Sequence, residues 1–374
     1  KFRSMQNLVD RLNLVSREIL TGIPVIRAFS REKHEEKRFD QASMELKKTQ
    51  LFTNSTMAFM MPMMMFIMNG ITVLIVWVGA HGVDAGSIQV GSMMAFITYT
   101  MQIVMSFLMI TIVSIMLPRA AVAAGRIDEV LQTNISIDNK AQVLPLAKDG
   151  KVQGIVAFEH VSFAYPGADE NALEDIDFVA KPGETTAIIG STGCGKSSLV
   201  QLIPRLFDVT KGRITIDGKD IRDLDLKELR SHIGYVPQKG VLFSGTIESN
   251  IAFGQEKMDM AKIEEAARIA QAADFIQEKE EQYQSRIAQG GSNVSGGQKQ
   301  RLAIARALAK KPQILVFDDS FSALDYRTDK ALRKEIGQKT KYATVIIVAQ
   351  RISTILHADK IIVLDDGKIA GCGT

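Results

Sequence analysis

Residues 190–198 read Gly-Ser-Thr-Gly-Cys-Gly-Lys-Ser-Ser, an order of glycines, hydroxyls and one lysine suited to gripping a chain of phosphates. The open backbone around Gly190, Gly193 and Gly195 allows N–H groups across Ser191, Thr192 and Cys194 to converge on one anion. Lys196 supplies a point charge for β- and γ-phosphates, the Ser197 hydroxyl a ligand for Mg²⁺, and Ser198 continues the turn into a helix. Cys194 offers its backbone rather than its thiol. With Cys372 as the only other cysteine, neither a disulfide framework nor a cysteine metal site is in prospect. The apolar run 185–189 reads as a strand and residues 197–206 as a helix closed off near Pro204. Strand, glycine turn and helix start together make a site for a nucleoside triphosphate.

Further groups fit the same site. The apolar run 313–317 ends in Asp318 and Asp319, the pattern of a buried parallel strand delivering carboxylates at its C-terminal end. Asp318 is then the expected outer partner of Mg²⁺, and Asp319 stands where a carboxylate would orient water. Runs 344–348 and 361–364 predict two more strands, and their alternation with helical stretches predicts a largely parallel α/β sheet. Ser295, Gly296, Gly297 and Gln298 precede the helical rhythm of Leu302, Ile304, Ala305 and Leu308, a second anion-ready helix start. One phosphate loop accounts for one triphosphate, so the second start asks for another molecule. Taken alone, Ser295 could equally be an ordinary helix cap.

These groups sit in only half of the chain. The 46% apolar content averages two unlike parts, and a net charge of +3 over 374 residues gives no reason to expect nucleic acid as a partner. Residues 51–80 and 85–118 carry no charge, and each is long enough to cross a bilayer core about 30 Å thick. Lys47 and Lys48 before the first run, and Arg119 and Arg126 after the second, place both flanks in the cytoplasm. Seven methionines in the first run and six in the second offer polarizable surfaces that suit a lipophilic substrate, or simply apolar filler. Pro62 predicts a kink in the first span. Two spans cannot enclose a path, and Lys1 is not a natural start, so earlier spans are expected. Ahead of the spans, residues 4–48 read as two helices broken at Gly22-Ile23-Pro24. Residues 134–153 turn polar and aperiodic, as a linker would.

With these motifs together, the chain resembles an ATP-binding cassette exporter subunit over essentially its whole length. The resemblance implies a multidomain fold: an all-α transmembrane helical domain fused to an α/β P-loop nucleotide-binding domain. Its boundaries would be 1–133 (elbow 16–30, spans 51–80 and 88–117 as the fifth and sixth of six), 134–153 as linker, and 154–374. By resemblance, Tyr165 stacks on adenine, Gln238 reaches Mg²⁺, residues 295–298 form the signature loop, and residues 322–325 cross a dimer interface. The elbow 22–29 resembles a coupling helix. ATP and Mg²⁺ are the implied cofactors. A second half-transporter, the bilayer and a small lipophilic substrate are the implied partners, at the plasma membrane with the nucleotide domain cytoplasmic.

Departures from the family pattern are equally specific. Asp319 replaces a glutamate, shortening the reach by about 1.5 Å, and Gln350 replaces the switch histidine and cannot carry a proton. Gln289 stands where an acidic residue is often found. Two changes at the hydrolytic positions beside an intact phosphate loop point to a heterodimer, in which this chain's own site is degenerate while residues 295–298 complete the partner's. A slowly hydrolysing homodimer and a soluble cassette ATPase are the alternatives.

Overall fold

The computed structural model describes residues 2–147, 151–255, 258–351 and 355–374. It divides at Thr133 and Asn134 into two compact units.

The first unit holds three helices: α1 (Phe2–Ala28), α2 (Glu32–Asp84) and α3 (Val90–Leu131). Arg11 pairs with Glu45 at 2.8 Å and Arg38 with Glu18 at 2.6 Å, a crossed order that makes α1 and the start of α2 an antiparallel hairpin. Val15 and Ala42 are buried within it. The break expected at Gly22-Ile23-Pro24 is absent, because α1 continues through Pro24. It ends instead in a Schellman turn: Arg31 N–H donates to Ile26 O at 2.9 Å and Ser30 N–H to Arg27 O at 3.1 Å. Ser30 takes the left-handed conformation at φ 51°, the place usually given to glycine. The expected elbow 16–30 is thus mostly the last three turns of a helix.

Helices α2 and α3, of 53 and 42 residues, both exceed the roughly 20 residues that a bilayer core requires. Both are long and apolar enough to cross a membrane. The span expected over 51–80 lies inside α2, which runs unbroken across Pro62. That expected over 88–117 lies in α3 apart from its first two residues. The turn between them is tight: a Cβ on Gly79 would come within 2.8 Å of the Met93 side chain.

The second unit is α/β. Its elements are β1 (Val156–Phe163), β2 (Leu173–Ala180), β3 (Thr185–Gly190), α4 (Lys196–Leu202), β4 (Lys211–Ile216), β5 (Lys219–Asp220), α5 (Leu226–Ser231), β6 (Ile233–Val236), β7 (Gly245–Thr246) and α6 (Ile247–Ile251). There follow α7 (Met260–Ile269), α8 (Ala273–Gln277), β8 (Arg286–Ile287), α9 (Gly296–Ala309), β9 (Ile314–Asp318), α10 (Tyr326–Lys339), β10 (Thr344–Val348), β11 (Lys360–Asp365) and β12 (Lys368–Gly373). The main sheet has the order β12-β11-β3-β10-β9-β6, parallel except for β12. A second, antiparallel sheet, β2-β1-β4-β5, has no counterpart in the sequence expectations. Alternate residues of the central strands face two cores: Leu315, Phe317, Val345 and Ile347 one, Ile314, Val316, Ile346 and Val348 the other. Burial on both faces is why these strands read as continuous apolar runs.

Two expectations shift here. The helix after the phosphate loop stops at Leu202 rather than 206, with Ile203 as its C-cap, still in helical conformation directly ahead of Pro204. The linker 134–153 is partly pinned: Leu144 N–H donates to Asp223 O at 2.7 Å, Glu228 accepts from Leu146 N–H at 3.0 Å, and Leu146 is buried. Asp149 and Gly150 of that linker lie outside the described residues.

Candidate nucleotide site

Strands β3, β10, β9 and β6 are neighbours in one parallel sheet. From their C-terminal ends come, respectively, the phosphate loop, Gln350, Asp318 with Asp319, and Gln238. A crevice outside the carboxyl ends of parallel strands is where open α/β sheets bind ligands. The geometry gathers side chains that are scattered over 160 residues of sequence.

The loop is built for close approach. Gly195 adopts φ 96° and Gly193 φ 90°, and a Cβ on Gly190 would lie 2.1 Å from Leu364 O. Lys196 opens α4 and is buried. Its ammonium donates to the carbonyls of Gly190 at 2.9 Å and Ser191 at 2.5 Å. Both acceptors are neutral, so the charge remains available to an anion. Ser198 Oγ lies 2.9 Å from the Tyr165 hydroxyl, which brings that ring beside the phosphate loop and edge-on to Phe163 and Phe207.

Beside the loop, Ser197 Oγ donates to Asp318 Oδ1 at 2.8 Å and the Tyr235 hydroxyl to Oδ2 at 3.4 Å. Burial, with the field of Asp318 next, pushes the Tyr235 phenol up to about 12. Burial likewise raises the pKa of Asp318, with Asp319 adding to it, and burial raises that of Asp319. Asp319 Oδ2 accepts from Gln350 Nε2 at 2.9 Å and from Gln238 Nε2 at 3.5 Å. A buried cation set among carbonyls, next to two crowded carboxylates, fits Mg-ATP: the triphosphate answers the first and the metal the second. Ser197, Gln238 and Asp318 would hold Mg²⁺, which when bound neutralises charge on the phosphates.

Residues 295–298 are not joined to this crevice by any hydrogen bond among the described residues. Ser295 caps α9, accepting from Gln298 N–H at 3.2 Å, while Gln298 Oε1 accepts from Ser295 N–H at 3.1 Å. Within the chain the motif therefore works as a capping box, and Gly296 and Gly297 keep the N–H groups that a helix start leaves unpaired. A Cβ on Gly297 would lie 3.4 Å from Ala323 O, so the loop 322–325 runs against this helix start. Ser322 Oγ donates to Asp319 O at 2.9 Å, linking that loop back to the crevice.

Tyr235, Gln300 and Gly240 are site neighbours that motif reading missed. Gln300 occupies a position in the apolar stripe of α9, where a polar residue must find buried partners. That misfit was the signal available in the sequence.

Two family models match the chain, that of the ABC transporter over residues 173–322 and that of the ABC transporter transmembrane region over residues 1–107. An uncharacterised ABC transporter ATP-binding protein of Mycobacterium tuberculosis is 46% identical over 376 residues, covering 100% of this chain and 64% of the relative. An ATP-dependent lipid A-core flippase of Saccharophagus degradans is 35% identical over 375 residues, covering 99% of this chain and 61% of the flippase. The structure of a bacterial Atm1-family ABC exporter with ATP bound aligns with a TM-score of 0.83 at 30% identity, over 100% of this chain and 66% of that one. The chain thus spans just under two thirds of the length of these relatives.

Proposed function

Because this chain belongs to the ABC transporter family, we propose that it works as a half-transporter that exports a lipophilic or drug-like compound across the plasma membrane. Its spans cross the bilayer as part of a multi-pass domain, and its nucleotide unit lies in the cytoplasm. It pairs with a second, different half-transporter. Its own phosphate loop holds Mg-ATP but hydrolyses it slowly, while residues 295–298 complete the partner's site. The charge-free, methionine-rich spans support a lipophilic substrate, as does the lipid named for the Saccharophagus relative.

The observation that carries slow hydrolysis is the 2.9 Å bond from Gln350 to Asp319. A carboxylate that activates water must keep an oxygen free for its proton. Here Oδ2 is held by two amide donors, Gln350 and Gln238, which leaves only Oδ1 for that proton and ties the carboxylate's orientation to the amides. The Asp319 side chain is also one methylene shorter than the glutamate of the family pattern. Gln350 can donate a hydrogen bond to a phosphate but brings no charge to the transition state. Binding groups are complete, whereas both groups placed to act in hydrolysis are weakened.

ATPase turnover of the purified protein alone, compared with turnover of the protein mixed with its partner, tests this reading. Alone, the chain is expected to bind a fluorescent ATP analogue and to hydrolyse at least about 100-fold more slowly than the pair, the scale set by misplaced catalytic groups. Equal turnover per site would instead establish a homodimer with sufficient hydrolysis.

A further inference from the structure

Gln300 is a glutamine buried to 2% exposure on a helix otherwise packed by Leu302, Ile304 and Leu308. Both polar atoms of its amide are engaged, and both partners belong to the loop that carries Gln238. Gly240 N–H donates to Gln300 Oε1 at 3.0 Å, and Gln300 Nε2 donates to Pro237 O at 3.2 Å. The two bonds bracket Gln238 on either side. Gly240 shows the same close approach independently: an added Cβ would lie 3.0 Å from Gln300 Oε1 and 3.0 Å from Lys299 O. Arg306, six residues further along α9, adds a third grip by donating to Val241 O at 2.9 Å.

Gln300 also lies four residues from Gly296, one turn of helix along the same face. A helix turn is stiff, so a displacement of the helix start carries Gln300 with it. We propose that Gln300 is a positioning residue that clamps the Gln238 loop to α9, so that nucleotide contact at residues 295–298 is felt at Gln238. The inference rests on the family reading that residues 295–298 meet a nucleotide held by another subunit. It extends that reading by naming the link between the two nucleotide sites. Buried amides are demanding: removing one partner leaves the others unsatisfied, which is why such a contact transmits position rather than merely filling space.

Amide hydrogen exchange on the purified protein, alone and with its partner, tests the clamp. In the unmodified, nucleotide-free chain the Gly240 amide is expected to be protected; exchange at the rate of an open loop would overturn the proposal without any variant. Gln300→Met, which keeps the volume and loses both bonds, is expected to speed exchange over 237–241 by about tenfold and leave 190–198 unchanged. It should keep affinity for a fluorescent ATP analogue within about twofold and lower the slow kcat of the chain on its own by about tenfold at constant KM.

Combined with Gln238→Ala, it should cause no further loss; losses that multiply would show that Gln300 acts elsewhere. In Lys196→Ala, whose own loop grips phosphate poorly, Mg-ATP with the partner present should still alter exchange over 237–241, and Gln300→Met should abolish that response. No response in Lys196→Ala would remove the link between sites. If Gln300→Met does not fold, Gln300→Glu retains the acceptor for Gly240 and should loosen only the Pro237 side; uniform loosening of the unit would mean a structural role alone. Lone-chain turnover reports on the heterodimer separately, so its failure is distinguishable from failure of the clamp.

Discussion

Asp319 sits in the left-handed region at φ 46°, a conformation that aspartate tolerates better than most residues with a side chain. Its backbone N–H donates to Val348 O at 3.1 Å, which holds it against the strand that delivers Gln350. The two departures from the family pattern are therefore one local arrangement, a short carboxylate capped by an amide, and should not behave independently. Asp319→Glu alone would push a longer side chain into Gln350, and Gln350→His alone would leave the carboxylate out of reach. Only the double substitution supplies both a carboxylate placed to orient water and a ring able to carry charge. Steady-state ATPase should show small gains for each single variant and about 10- to 100-fold for the pair. Purely additive gains would mean that the 2.9 Å contact is incidental to the rate.

Helix ends and loop anchors show where local sequence stops deciding structure. In α1 the glycine and proline at 22–24 look like a break, yet the helix, paired with α2 through Arg11–Glu45 and Arg38–Glu18, runs past them. Ser30 then holds the left-handed position at a disadvantage. Ser30→Gly should stabilise the hairpin by about 1 kcal/mol, seen as a rise of a few degrees in melting temperature in detergent. A fall would show that the serine side chain compensates for its strained backbone.

The phosphate loop, the carboxylate-bearing strand and the charge-free runs were legible because each is set by contiguous residues: a turn that needs glycine, a strand buried on both faces, a span matched to a bilayer. The pinned linker was not, since Asn139 bonds Asp225 and Leu226, and Leu146 bonds Glu228, across more than 80 residues of sequence. The antiparallel sheet escaped for the same reason, its β1–β4 pairing joining Val156 to Ile216. The Gln300 clamp combines both difficulties, being polar in an apolar stripe and satisfied only by a distant loop.

At the scale of the whole molecule, the two nucleotide-facing motifs of the chain are expected to serve different ATP molecules, and this makes the proposed heterodimer asymmetric. In that assembly the phosphate loop, Asp319 and Gln350 would act on the chain's own nucleotide, with slow hydrolysis. Residues 295–298 would act on the partner's nucleotide, with fast turnover, and Ser295 holds their shape through its bond from Gln298 N–H at 3.2 Å. Substitutions in this one chain should therefore separate cleanly when turnover is measured in the assembled pair. Lys196→Ala weakens binding at the slow site and should lower total ATPase by no more than about threefold. Ser295→Ala loosens the helix start, at a typical loss of about 1 kcal/mol for a cap, and also removes a hydroxyl from the fast site, so total ATPase should fall by at least about tenfold. In a homodimer each substitution would enter both sites and both losses would be severe. Similar losses for Lys196→Ala and Ser295→Ala would therefore decide against the asymmetric assembly, even with the fold of each unit intact.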